Sequence, residues 1–266
     1  MTPWRRLFTP AIAALMAILP VAASPASEVK VMISGGMTAA YKQVVPVFER
    51  KTGLTVSTAY GPSMGTTPNA IPVRLARGEE ADVLIMVKEA LVDLIAQGKA
   101  IASTRVDLVR SPIGIAVRAG SLKPDIGTPD ALRRTLLAVK SVAYSDSASG
   151  VYVETQLFKR LGIEEQMKGK ARMIPAEPVA GVVARGDAEL GFQQISELLP
   201  VAGVEVVGPI PDEVQKITIF SAAVASGAKS VEAAKALIAY LAGAEVTSAL
   251  RRSGLDPLQG EPAQAR

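Results

Sequence analysis

The 266-residue sequence predicts an α/β protein folded as two lobes, each a mainly parallel sheet flanked by helices, with a ligand cleft between them. Three observations predict it. Apolar runs rich in Val and Ile alternate with helical patterns along most of the chain, as βα repetition requires. Two such series follow one another, and together they exceed one comfortable core. A strand and two helices remain after the second series, as expected of a chain that visits a second lobe and returns to the first.

Taken in order, Glu28 to Ile33 reads as a first strand. Ala40, Tyr41, Val44, Val45 and Phe48 then recur at helical spacing, and Gly53 closes that helix, with Pro46 threatening its regularity. Leu54 to Ala59 is a predicted strand, Gly61 to Thr67 a polar loop, Ala70 to Arg77 a helix and Asp82 to Val87 a buried strand. Ala90, Leu91, Leu94 and Ile95 share one helix face. The second series has predicted strands at Ile113 to Arg118, Ser141 to Tyr144, Ala171 to Ile174 and Leu190 to Gln193. Its helices fall near Pro129 to Val139, Gly150 to Leu161 and Val179 to Arg185. Strand Lys216 to Ala225 and helices Val231 to Leu241 and Ala244 to Arg252 close the chain before a polar tail. The lobes are then 27–111 with 218–266, and 112–217, with crossings near Val109 to Gly114 and Ile210 to Ile219.

The N-terminus reads as a secretory signal peptide, residues 1–26, because Trp4-Arg5-Arg6 precedes the apolar run Leu7 to Val21 and the small residues Ala22 to Ala26. A membrane anchor is the weaker reading, since a run interrupted by Pro10 and Pro20 is too short to span a bilayer. Export to the periplasm follows, and no later apolar run is long enough for stable membrane insertion once the leader is removed. With no cysteine and no histidine, the chain lacks disulfides, thiolate nucleophiles, Ser-His-Asp triads and imidazole metal sites. Acid or base chemistry must come from a carboxylate, Lys, Tyr or hydroxyl. The formal charge of +4 includes Arg5 and Arg6, and without clustered basic and aromatic residues nothing points to nucleic acid.

Three segments carry chemistry: Ser34-Gly35-Gly36, Gly61 to Thr67, and Ser145 to Gly150, each between a strand and a helix. Glycines let the backbone approach a ligand, hydroxyls donate, and helix N-termini aim amides at negative charge. Converging, they would form an anion cradle; separately, they would be ordinary caps and turns. No Gly-Lys-Ser or Gly-Lys-Thr completes a nucleotide phosphate loop.

Phe48 to Leu54, Arg77 to Val83, Gly150-Val151-Tyr152, Ala176 to Val179 and Ala188 to Phe192 together resemble the molybdate-binding proteins of ABC importers. That resemblance covers nearly the whole mature chain and implies the type II periplasmic-binding-protein fold. It also implies an oxyanion held by serine hydroxyls, backbone amides and one tyrosine hydroxyl. By position, Ser149 and Val179 match amide donors, Gly36 stands at the first ligand serine with Ser34 and Gly35 beside it, and the second ligand loop carries Ser63, Met64, Gly65 and Thr66. Gln194 stands at the tyrosine position. Ser147, Gly150 and Tyr152 complete the expected ligand-binding set.

The departures are similar to a subgroup that includes periplasmic aconitate isomerase, on Gly61 to Thr67, Tyr144 to Tyr152 and Gly191 to Glu197. This likeness implies interconversion of cis- and trans-aconitate by an allylic proton shift, without metal or redox cofactor. The reaction needs a base and donors for dienolate charge. Glu177, Asp146 and Lys88 are the candidate catalytic residues, with Tyr144 and Tyr152 behind them. Lys88 would also offer a cation to a tricarboxylate, whereas Arg74 and Arg185 read as solvated helix faces. Asp146 and Glu177 are alternatively a turn residue and a cap. Three functions stay open: an isomerase, a receptor passing an oxyanion or carboxylate to an ABC permease, and a sensory module. In each the partner is a small anion.

Overall fold

The computed structural model describes residues 28–258. The expected leader and the tail beyond Leu258 lie outside them. β1 (Glu28–Ile33), β2 (Thr55–Tyr60), β3 (Val83–Val87) and β4 (Val106–Ser111) belong to one sheet. β5 (Ile113–Arg118), β6 (Val142–Ser145), β7 (Ala171–Ile174), β8 (Leu190–Gln194) and β9 (Val204–Pro209) form a second. The chain then returns through β10 (Thr218–Val224) and β11 (Asp256–Pro257). Strand orders are β11-β4-β10-β3-β1-β2 and β7-β6-β8-β5-β9.

The α/β class holds, and the pairing is more mixed than the sequence predicts. β1 pairs in parallel with β2 and β3, and β6 with β7 and β8, each within a βα series. Strands next to the crossings run antiparallel: β10 lies between β3 and β4, and β5 between β8 and β9. Parallel pairing requires a crossover helix to bring the chain back to its starting edge. Pro112 and residues 210–217 instead join the sheets directly, so the chain enters each from the other lobe.

Both faces of each sheet are covered, which explains the unbroken apolar runs. Val31, Ile33, Val83 and Ile85 enter one core of the first lobe, while Met32, Leu84 and Met86 enter the other. In the second sheet Val142 and Tyr144 face one cluster and Ala143 the opposite one. Asp82 staples the returning chain to the first lobe: its carboxylate accepts from the backbone amides of Lys30, Lys229 and Ser230 at 2.7–3.0 Å.

Pro46 does not break the first helix, Gly35–Thr52, because it lies on the exposed face, where a carbonyl deprived of its partner is hydrated. Gly53 ends that helix at φ 71°, donating to Glu49 O at 2.8 Å. The predicted helix Gly150 to Leu161 begins earlier, at Ala148, and contains a π-turn over Val153–Leu157. Among the described residues no single helix is long and apolar enough to cross a membrane.

Candidate functional site

Between the sheets lies a cleft of about 600 Å³, bounded by the C-terminal ends of β1, β2, β6, β7 and β8. Ser34 follows β1 and occupies the N-cap position of the first helix, yet its side chain makes no capping bond. Only 3% of the residue is exposed, and its hydroxyl has no partner among the described residues. A buried hydroxyl without a partner carries a desolvation penalty that a ligand acceptor would relieve. Gly35 and Gly36 are required for close approach. A side chain on Gly36 would overlap the Phe220 ring, and one on Gly35 would overlap Glu197 Oε1. After β2, Ser63 is buried on the cleft wall, where its hydroxyl oxygen accepts from Val87 N–H at 2.9 Å, leaving its own proton to donate.

In the second lobe Ser145 Oγ lies 3.0 Å from both Ser147 Oγ and Ser149 Oγ. Asp146 accepts from the backbone N–H of Ala176 at 3.1 Å. Ala176 has φ 59°, the left-handed region that alanine avoids, so Asp146 helps hold a strained bend on the wall. Ser196 mirrors Ser34: it is 1% exposed, lines the cleft and has a hydroxyl without a partner among the described residues.

Of the residues expected from sequence, the structure brings Ser34, Gly35, Gly36, Ser63, Ser147 and Gln194 to the cleft, together with Asp146 and Glu177. Others are placed differently. Met64, Gly65 and Thr66 fall outside the lining, the last two exposed, because their loop turns outward at Gly65, φ 94°. Ser149 lies beneath the wall, bonded to Ser145. Gly150 packs so tightly on the Ser145 carbonyl that its role is steric. The Tyr152 hydroxyl is consumed by Val214 O and Arg160, away from the cleft. Val179 N–H is also taken, donating to Gln193 Oε1 at 3.1 Å. Lys88 pairs with Asp107 at 2.8 Å and does not line the cleft. Gln194 joins the crossings: its carbonyl oxygen accepts from Thr218 and its amide nitrogen donates to Ser111 Oγ, both at 2.8 Å.

Residues 29–256 match the family described as bacterial extracellular solute-binding protein. The chain belongs to that family. It is 50% identical over 259 residues to the aconitate isomerase of Pseudomonas sp, covering 97% of this chain and 99% of that one. It is 25% identical over 253 residues to the molybdate-binding protein of Azotobacter vinelandii, covering 91% and 95%. The solved structure of the periplasmic molybdate-binding protein from that organism superposes with a TM-score of 0.69 at 18% identity, over 88% of this chain and 100% of that one.

Among the cleft residues of this solute-binding protein that sequence reasoning missed are Lys42, Ser196 and Glu197. Lys42 had a readable signal. Gly35, Thr38, Ala39 and Lys42 stand at i, i+3, i+4 and i+7, so one face of the first helix carries them all to the ligand space. Its ammonium sits 4.8 Å from the centre of the Tyr60 ring, a cation–π contact on the wall. Glu197 had no such signal, because its environment is built across the cleft by Gly35. Burial pushes its carboxyl up to about 7, the charge of Asp146 adds to the rise, and a hydrogen bond to Gln193 opposes it.

Together these groups present donors, one cation and the first-turn amides of an 18-residue helix to a small anion. The unpartnered Ser34 hydroxyl gives a direct check. Removing a capping serine normally costs about 1 kcal/mol. Ser34→Ala is expected to leave ligand-free stability within about 0.5 kcal/mol of the parent. Urea unfolding of both proteins measures this, and a loss near 1 kcal/mol would return Ser34 to a capping role.

Proposed function

We propose that the protein is a periplasmic isomerase that interconverts cis- and trans-aconitate by an allylic proton shift, exported by residues 1–26. The observation that carries this reading is the 50% identity to aconitate isomerase over 97% of the chain. The cleft supports it by size and chemistry. About 600 Å³ accommodates a tricarboxylate and exceeds what one tetrahedral oxyanion fills. Lys42 and the first-turn amides of the Gly35–Thr52 helix meet carboxylates, and Ser34, Ser63, Ser147 and Ser196 supply hydroxyls. As the methylene proton leaves, charge spreads onto a neighbouring carboxylate, and donors already held in place stabilise it without reorganisation. Asp146 and Glu177 stand on the wall as proton-transfer candidates. Lys88, paired with Asp107 and outside the lining, is set aside as a proton carrier in this reading.

Likeness to a molybdate-binding protein favours a second reading, a receptor delivering an anion to an ABC permease. Turnover separates them. Purified protein incubated with trans-aconitate at neutral pH is expected to produce cis-aconitate, followed by chromatography. No conversion, with thermal stabilisation by molybdate or sulfate instead, would establish the receptor.

A further inference from the structure

The isomerase reading leaves the proton carrier to be identified. Among the described residues, three carboxylates line the cleft: Asp146, Glu177 and Glu197. Asp146 is engaged by the Ala176 amide and holds a strained bend. Glu177 is exposed, and both its oxygens accept from Arg185 at 3.1–3.2 Å, a pairing that weakens it as a base. Among the described residues Glu197 has no salt-bridge partner. Its Oε1 lies against Gly35, where the first-turn amides, Ser34 and Lys42 would gather the substrate's carboxylates.

We propose that Glu197 is the catalytic residue that takes a proton from the methylene carbon of bound aconitate and returns it to the former vinylic carbon. The proposal rests on the isomerase reading. As Glu197 takes the proton, the C–H electron pair forms a new double bond to the central carbon, and the pair of the former double bond moves onto the vinylic carbon, its charge spreading into the terminal carboxylate there. That second pair then takes the proton held by Glu197 to form a C–H bond at the former vinylic carbon, leaving the double bond on the other side of the central carbon. No electron is gained or lost overall. Both reacting carbons flank the same central carbon, so one carboxyl on one face can serve both.

The surroundings suit this exchange. Enclosure and the nearby Asp146 charge keep the carboxyl's proton affinity close to neutrality, while Gln193 favours the anion; Lys42, on the facing helix, also lines the cleft. Glu197 can therefore accept and release a proton at working pH.

The test compares the parent with Glu197→Gln, Glu197→Asp, Asp146→Asn and Glu177→Gln, measuring turnover of trans-aconitate and, by calorimetry, its binding. Glu197→Gln is expected to lower kcat by about 10²–10⁴-fold with Kd changed less than about tenfold, and Glu197→Asp to recover part of the rate. The acidic limb of the kcat/KM profile near pH 7 should disappear in Glu197→Gln and persist in the other two carboxamide variants. A Glu197→Gln rate within tenfold of the parent, or a larger loss in Asp146→Asn or Glu177→Gln, overturns the assignment. Should Glu197→Gln fail to fold, a full parental rate in Glu197→Asp with an unshifted acidic limb overturns it as well. A parent that binds aconitate without converting it defeats the isomerase reading itself, a result separable from these.

Discussion

Gly150→Ala is expected to lower stability by about 3 kcal/mol and the melting temperature by about 6–12 °C, and to abolish binding in the cleft. The new Cβ would overlap the Ser145 carbonyl oxygen and approach the Ser145 carbonyl carbon and amide nitrogen. These are backbone atoms of a buried strand, so no side-chain rotation can make room. The Ala148–Tyr152 helix must instead move away from β6. That movement separates Ser145 from Ser149 and Ser147, now 3.0 Å away, and disperses the second-lobe hydroxyls. Calorimetric melting with and without trans-aconitate measures both effects. A melting temperature within 2 °C of the parent, with ligand stabilisation intact, would show that the strand and helix are more loosely packed than described.

The second large effect is a pH dependence of stability set by Glu197. Its folded carboxyl titrates at about 7 against an ordinary 4.5, raised chiefly by burial. A raised folded value means that the folded protein holds a proton which the unfolded chain has already released. The stabilisation tied to that proton is complete below pH 4.5 and is lost as pH rises through 7. Glu197→Gln cannot lose it. Allowing for the residue's partial exposure, the variant should gain about 2 kcal/mol on the ligand-free parent between pH 4.5 and pH 8, with most of the change below pH 7. Urea unfolding of both proteins at pH 4.5, 6 and 8 gives the difference directly. A difference that stays constant with pH would mean a hydrated carboxyl and would remove the enclosed environment on which its proton affinity depends.

How much of this could be read from the sequence depended on the range of the interaction. Helices Val179–Arg185 and Val231–Leu241 have the bounds that periodicity predicts, because apolar spacing reports burial locally. The π-turn after Tyr152 and the antiparallel crossings were not readable, since both depend on the elements against which those segments pack.

The same boundary runs through the site. Sequence alone determined that histidine and cysteine chemistry is absent, that strands alternate with helices, and that small hydroxyl-rich loops stand at strand ends. Only the tertiary structure decided which donors remain free. Ser34 looks like a cap but does not cap, Val179 looks like a donor but serves Gln193, and Tyr152 looks available but binds Val214. Glu197 acquires its raised proton affinity from burial against a glycine of the other lobe. Local sequence sets periodicity and backbone freedom, whereas hydrogen-bond occupancy and proton affinity depend on distant groups that only folding brings within a few ångströms.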